Sequence, residues 1–174
     1  VARILTAGEF EELYRATAPE LFAYVRRRTT ADAEDVVAEV FTTAWRRRGD
    51  LPAPMLRRAW LYGVARRLLL AEARRQGRED ATVTELASRP EQSPADAGEA
   101  RRQAVRAALD RLSPAEREVL LLVEWERLTP AELAVTLGVR PGTARVRLHR
   151  ARRALAADPE LDSLARALRA GSRA

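Results

Sequence analysis

The sequence predicts an all-α protein: two small helical domains joined by a flexible acidic linker, the second containing a helix-turn-helix. Three observations predict this. Ala, Leu, Arg and Glu are abundant, while 8 Gly and 9 Pro punctuate 174 residues, a composition of helix formers. Apolar side chains recur at steps of three and four rather than alternating. Stretches of the form Ser/Thr-x-x-Glu stand ahead of those runs at Thr6–Glu9, Thr17–Glu20, Ser113–Glu116 and Thr129–Glu132. In such a capping box the hydroxyl and the carboxylate each satisfy a backbone N–H that the first helical turn leaves unpaired.

Charge divides the chain into blocks. The formal net charge is +6, and all 31 basic residues are Arg. Residues 1–76 carry net +4, residues 77–99 net −4 and residues 100–157 net +6, so two basic blocks flank an acidic spacer. Basic blocks suit polyanions, because each phosphate neutralised releases a counterion. No apolar run approaches the roughly 20 residues of a spanning helix, and no secretory signal pattern opens the chain. Membrane attachment is therefore not expected. Cysteine is absent and a single His is present. This leaves no disulfide framework, no thiolate chemistry and no metal-ligand set, and fits a cytoplasmic setting.

Taken in order, the box at Thr6 is expected to start a helix carrying Phe10, Leu13 and Tyr14. The box Thr17-Ala18-Pro19-Glu20 repeats that logic and is expected to start a second helix with Leu21, Phe22 and Val25 inward. From Thr29 to Arg48, Val36, Val37, Val40, Phe41, Ala44 and Trp45 form one core stripe. Asp32, Glu34 and Asp35 crowd the first turn, where carboxylates meet the positive end of the helix dipole, and Glu39 shares the face of Asp35. These acids read as a helix start or a protein-binding face rather than a metal site. The run Gly49-Asp50-Leu51-Pro52-Ala53-Pro54 cannot continue a helix and reads as a stiffened loop.

A long helix then runs from about Leu56 to Arg75. Trp60, Leu61, Val64, Ala65 and Leu68 can pack, while Arg57, Arg58, Arg66, Arg67, Arg74 and Arg75 project. Gly63 in its middle weakens the helix by up to about 1 kcal/mol relative to Ala, which signals close packing or a functional approach. Residues 76–98 are acidic and polar and read as linker, with one helical turn near Val83–Leu86. Ser93 resembles a helix start leading to Ala104, Val105, Ala108, Leu109 and Leu112. The box at Ser113 opens a helix through Val119, Leu120, Leu122 and Val123 to Trp125.

The richest stretch is Leu128–Leu155. Thr129 caps a short helix with Pro130 at its first position and Leu133, Ala134 and Leu137 on its apolar face. Gly138 falls where a left-handed residue is wanted, and Pro141 opens a second helix. There Ala144, Leu148, Ala151 and Leu155 share one face. At about 100° per residue, the opposite face carries Gly142, Arg145, Val146, His149, Arg150 and Arg153. This is a helix-turn-helix pattern whose outward residues would enter a DNA major groove. Beyond Asp158, Leu161, Leu164 and Leu168 can form a short amphipathic tail, with residues 170–174 frayed.

The segments DAEDVVAEVFTTAW (Asp32–Trp45), RAWLYGVAR (Arg58–Arg66), LSPAEREVLLL and LTPAELAVTLGVRPGTARVRLHRARRAL, in this order, resemble a bacterial RNA polymerase sigma factor. The two-domain form with only a linker between resembles the extracytoplasmic-function group. The resemblance implies a region 2-like domain at 1–76, a linker at 77–99, a region 4-like domain at 100–157 and a tail at 158–174. It implies an initiation factor without catalytic residues or cofactors that directs core polymerase to promoters. The alternative is a helix-turn-helix regulator acting without polymerase, which leaves the Asp32–Arg75 block unexplained.

The resemblance also implies roles. Asp32, Glu34, Asp35, Glu39 and Phe41 match the face that docks on the clamp helices of the polymerase largest subunit; the flap of the second-largest subunit is the other implied contact. Asp50, Leu51, Pro52, Ala53 and Met55, with Arg57, Arg58, Tyr62, Arg66 and Arg67, match the part that melts the minus-10 element, captures an unstacked base and holds the displaced strand. Arg145, His149 and Arg150 match base-contacting positions for the minus-35 element. Arg140, Gly142, Thr143, Val146, Arg147 and Arg153 complete that surface, through phosphate contacts or, at Val146, a thymine methyl. Duplex and melted promoter DNA are thus the implied nucleic acids, and an anti-sigma factor is a candidate partner. The chain departs from the family pattern where Ala38 replaces Gln, Arg67 replaces Asn, Ala71 replaces Asp and Val146 replaces a small residue.

Overall fold

The computed structural model describes residues 4–29, 32–75, 97–163 and 166. Its elements are α1 (Ala7–Arg26), α2 (Ala33–Arg46), α3 (Pro54–Arg75), α4 (Ala97–Asp110), α5 (Pro114–Leu120), α6 (Pro130–Leu137) and α7 (Pro141–Ala156). One π-helical turn, Leu121–Trp125, extends α5. Among the described residues every regular element is helical. Of the linker, residues 76–96 lie outside the described residues, as do its Val83–Leu86 turn, the Ser93 start and the frayed end at 170–174, while residues 97–99 belong to the first turn of α4.

Three of the four capping boxes form. In each, the hydroxyl of Thr6, Ser113 or Thr129 accepts from the N–H three residues on, and the Glu there accepts from the capping residue's own N–H. The fourth does not, and this corrects the two-helix reading of residues 6–26. α1 runs unbroken through Pro19, and the Thr17 hydroxyl donates back to the Leu13 carbonyl at 2.6 Å instead of capping a new helix. Pro19 removes one backbone hydrogen bond. The continuous helix compensates by burying Thr17, Leu21, Tyr24 and Val25.

The α2 stripe is as expected at Val37, Val40, Phe41 and Ala44, all buried. Trp45 corrects it. This last residue of the stripe is 40% exposed, edge-on to Phe10 at 5.0 Å and beneath the Arg48 guanidinium at 4.5 Å. Asp32 caps α2 by accepting from the Glu34 N–H at 2.8 Å.

α3 departs most from an amphipathic surface helix. Leu61, Tyr62, Gly63, Val64 and Ala65 are consecutive and all buried. At about 100° per residue, five such residues go right round the helix. α3 is therefore enclosed, with α1 and α2 on one side and α6 on the other. Gly63 makes the second contact feasible: a Cβ there would stand 3.1 Å from the Thr136 carbonyl oxygen. Close by, the Thr136 hydroxyl donates to the Ala59 carbonyl at 2.9 Å. The buried apolar residues of both blocks consequently form one continuous cluster, from Leu21 to Ala151.

In the helix-turn-helix, Gly138 adopts φ +65°, ψ 35°, the left-handed conformation expected of it. For a residue with a side chain that conformation costs roughly 1–2 kcal/mol. Gly138→Val is accordingly expected to lower stability by about that amount in urea unfolding, and Gly138→Asn by less; equal midpoints for all three proteins would refute the role. The tail begins packed. Asp158 is buried and accepts from Arg111 at 2.7 and 3.0 Å and from the backbone N–H groups of Glu160 and Leu161. Hydrogen bonding from Arg111 holds its carboxyl below the usual carboxylate range.

Candidate nucleic-acid interface

The outward face of α7 is built by the residues that do not pack. Ala144, Leu148 and Ala151 are buried against the rest of the second block, which fixes the rotation of the helix. Arg145, Val146, His149, Arg150 and Arg153 are thereby exposed on the far side, as the helical wheel requires, with Val146 50% accessible; Arg147, beside the packing face, is exposed as well. Among the described residues no carboxylate pairs with Arg140, Arg145, Arg147, Arg150 or Arg153. Arg152 behaves differently, donating to Glu124 at 2.9 Å. At the start of α7, Arg140 occupies the cap without a side-chain hydrogen bond. The N–H groups of Gly142 and Thr143 belong to a first turn that no side chain caps, and both residues are exposed. Backbone donors at a helix start are a ready site for an anion.

The second element is the loop between α2 and α3. Two turns shape it: the Asp50 N–H donates to the Arg47 carbonyl, and the Leu56 N–H to the Ala53 carbonyl, both at 2.8 Å. An open cleft of about 470 Å³ lies beside it, lined by Leu5, Glu9, Leu51, Pro52, Ala53, Pro54 and Arg57. The Arg57 Nε is buried and has no hydrogen-bond partner. Met55, in the first turn of α3, does not line the cleft and is 77% exposed. Leu5 and Glu9 are absent from the sequence reading of this site. They arrive because the Leu5 N–H donates to the Arg48 carbonyl at 3.2 Å, a contact between segments over forty residues apart that no local pattern announces.

The arginines of α3 separate into two sets. Arg67, Arg74 and Arg75 are exposed, although Arg75 donates to Glu72 at 2.6 Å. Arg58 and Arg66 instead face the second block. Arg66 holds Glu118 through two hydrogen bonds of 2.6 and 2.9 Å. Arg58 donates to Glu20 at 2.9 Å and to the Glu126 carbonyl at 2.8 Å. Tyr62 is the further correction: it is 1% exposed, 4.9 Å from the Tyr24 ring, and presents nothing to a strand in this arrangement. Burial pushes its hydroxyl up to about 12, so it stays protonated.

A second cluster at this junction was not anticipated. Glu126 accepts from Arg27 at 2.8 and 3.1 Å and from Arg28 at 3.1 Å, and both Arg28 and Glu126 are buried. Arg27–Arg28 read locally as partners of the α1 dipole; their carboxylate comes from about a hundred residues further on. Arg127 follows Glu126 in the left-handed region at φ 58°, turning the chain sharply beside it.

The acidic face of α2 remains open. Asp32, Glu34, Asp35 and Glu39 are exposed, and among the described residues none pairs with an arginine. Phe41 is a correction to the expected docking face: it is buried, packed against Tyr14 at 4.6 Å and Phe10 at 6.2 Å on α1. Among the described residues no group of His, Asp and Glu could hold a metal ion, and no helix is long and apolar enough to cross a membrane.

Comparison with known proteins agrees with this two-part layout. A profile described as Sigma-70 region 2 matches residues 13–79, and one described as Sigma-70, region 4 matches residues 102–155. The chain is 38% identical over 158 residues to the ECF RNA polymerase sigma factor SigL of Mycobacterium tuberculosis (strain ATCC 25618 / H37Rv), covering 86% of this chain and 88% of that one. It is 30% identical over 145 residues to the RNA polymerase sigma factor CarQ of Myxococcus xanthus, covering 81% and 83%. Among solved structures, the sigma factor RpoE from Bartonella quintana, crystallised with the anti-sigma factor NepR, superposes with a TM-score of 0.58 at 26% identity, over 86% of this chain and 95% of that one.

Proposed function

As the chain belongs to the extracytoplasmic-function family of RNA polymerase sigma factors, we propose that it carries core polymerase to promoters by a bipartite grip, α7 on the minus-35 element and the α2–α3 loop on the minus-10 element. The observation that carries the reading is the surface of α7, where five arginines stand exposed with no carboxylate partner among the described residues. Arginine bidentate to guanine O6 and N7 is the commonest specific contact in the major groove. Arg145, His149 and Arg150 read base edges; Arg140, Arg147 and Arg153, with the backbone N–H groups of Gly142 and Thr143, hold phosphates; Val146 packs against a thymine methyl.

At the minus-10 element, the cleft beside Leu51–Pro54 takes an unstacked base, with Arg57 in its wall. Base capture needs a shaped pocket and polar groups rather than a catalytic side chain. Arg58, Arg66 and Arg67 hold the strand. Asp32, Glu34, Asp35 and Glu39 dock on the clamp helices of the largest polymerase subunit, and the second block meets the flap. The division is a region 2-like domain at 1–76, a linker at 77–99, a region 4-like domain at 100–157 and a tail from 158. The factor performs no catalysis of its own, works in the cytoplasm, and takes an anti-sigma protein as its antagonist.

The test is run-off transcription by core polymerase, with and without the purified chain, on a promoter library whose transcripts are sequenced. The expected result is a set of starts that appears only with the chain and shares two upstream motifs at fixed spacing. Transcripts indistinguishable from those of core alone would overturn the reading.

A further inference from the structure

The cleft beside the α2–α3 loop has two walls of different origin. Leu51–Pro54 and Arg57 form one; Leu5 and Glu9, from the start of α1, form the other. We infer that Glu9 is a specificity-determining residue of this cleft, selecting a captured base with an exocyclic amine over thymine, and that Leu5 is a positioning residue that holds this wall in place. Both roles rest on the reading above that the cleft takes an unstacked promoter base.

Several contacts fix the second wall to the first. Leu5 is 3% exposed, and its N–H donates at 3.2 Å to the carbonyl of Arg48, the residue just before the loop. Ile4 lies over Gly49, where an added Cβ would stand 3.6 Å from the Ile4 Cγ1. One turn into α1, Phe10 meets Trp45 edge-on at 5.0 Å. The segment from Ile4 to Phe10 thus straps the end of α2, so wall and loop keep one spacing. The capping box then fixes the carboxylate. Glu9 Oε2 accepts from the Thr6 N–H and from the Thr6 hydroxyl, both at 2.9 Å. A side chain ordered in advance spares the ordering cost that binding would otherwise carry.

The lining chemistry sets the preference. Leu5, Leu51, Pro52, Ala53 and Pro54 offer apolar surface to the faces of any base. Only Glu9 and Arg57 among the lining residues are charged, so Glu9 contributes the one carboxylate; Asp50, the acid of the loop, does not line the cleft. An ionised carboxylate accepts and never donates, and it has about four acceptor sites, so the capping bonds do not exhaust it. Cytosine, adenine and guanine each carry an exocyclic amine, and Glu accepting from the cytosine amine is one of the regular base contacts. Thymine presents an acceptor, O4, where cytosine presents its amine. Two acceptors brought face to face repel.

Glu9→Gln isolates this effect. Gln serves a capping box as Glu does, so α1 keeps its start, which a thermal melt followed by circular dichroism checks. The amide also adds a donor that suits thymine O4. The measurement is the sequenced run-off library with core polymerase and the full chain. The expected result is one minus-10 position at which the parent disfavours thymine by about tenfold or more, and at which Glu9→Gln brings thymine close to parity. The other minus-10 positions and the minus-35 motif should not move. Leu5→Ala should lower the contrast at that same position without exchanging the preferred base; a motif identical to the parent's would remove its positioning role. Ala53→Trp, which fills the cleft, controls for the underlying reading. If it erases the preference at a position that Glu9→Gln leaves unchanged, or at which the parent prefers thymine, the assignment of Glu9 is overturned and base capture stands. If Ala53→Trp leaves every minus-10 position as in the parent, the cleft takes no base and both readings fall.

Discussion

Leu133→Ala is expected to lower the unfolding free energy by about 2–5 kcal/mol, the range for removing a buried leucine side chain and leaving a cavity. Leu133 has no exposed surface and lies on α6, the helix that contacts both α3 and α7. Its loss is felt in the helix-turn-helix and at the junction with the first block, because the buried residues of both belong to one cluster. For a chain of this length about 1 kcal/mol corresponds to roughly 2–4 °C, so thermal unfolding should show a drop of about 4–20 °C. Leu133→Met, which preserves volume, should cost less than about 1.5 kcal/mol. An alanine variant that melted with the parent would mean that α6 is not seated as described.

The second large effect is functional. Removing Arg145 and Arg150 together should abolish most discrimination at the minus-35 element. Each good bidentate contact supplies roughly 1–3 kcal/mol of base discrimination, so two independent ones amount to roughly 30-fold to 10⁴-fold. The measurement is the library experiment repeated with Arg145→Ala/Arg150→Ala: the upstream motif should flatten while the minus-10 motif persists and the complex with core polymerase still forms in a native gel. Arg147→Ala supplies the contrast. A phosphate contact carries no sequence information, so its loss should weaken binding to all sequences alike and reduce the salt slope by about one. Failure of the double variant to bind core would move these residues from the DNA face to the polymerase interface.

Local patterns were legible wherever a residue's role depends on neighbours within a turn or two. The boxes at Thr6, Ser113 and Thr129 and the left-handed Gly138 stand where the sequence places them, because capping and turn conformation are settled within four residues. The same locality misled at Thr17. Its box is a sound start signal, yet the burial of Leu21, Tyr24 and Val25 along one continuous helix outweighs the hydrogen bond lost at Pro19. Nor could the pattern place Tyr62 or the arginine at 66. A helical wheel gives the direction of a side chain but not what lies in that direction.

The chain by itself determined the helical class, the positions of most caps and the rotation of α7, since the apolar residues Ala144, Leu148 and Ala151 pack inward and leave Arg145, Arg150 and Arg153 outward. It also determined the family, because motif order and spacing survive in the linear text. Tertiary structure alone decided which arginines are free. Arg150 and Arg66 look alike in sequence, each an Arg on the polar side of a helix. Arg150 meets solvent and Arg66 meets Glu118, because Gly63 lets α6 approach α3 closely and so brings residues 52 positions apart within 2.6 Å. Charge is a property of the residue; availability of that charge depends on the packing of backbones far apart in sequence.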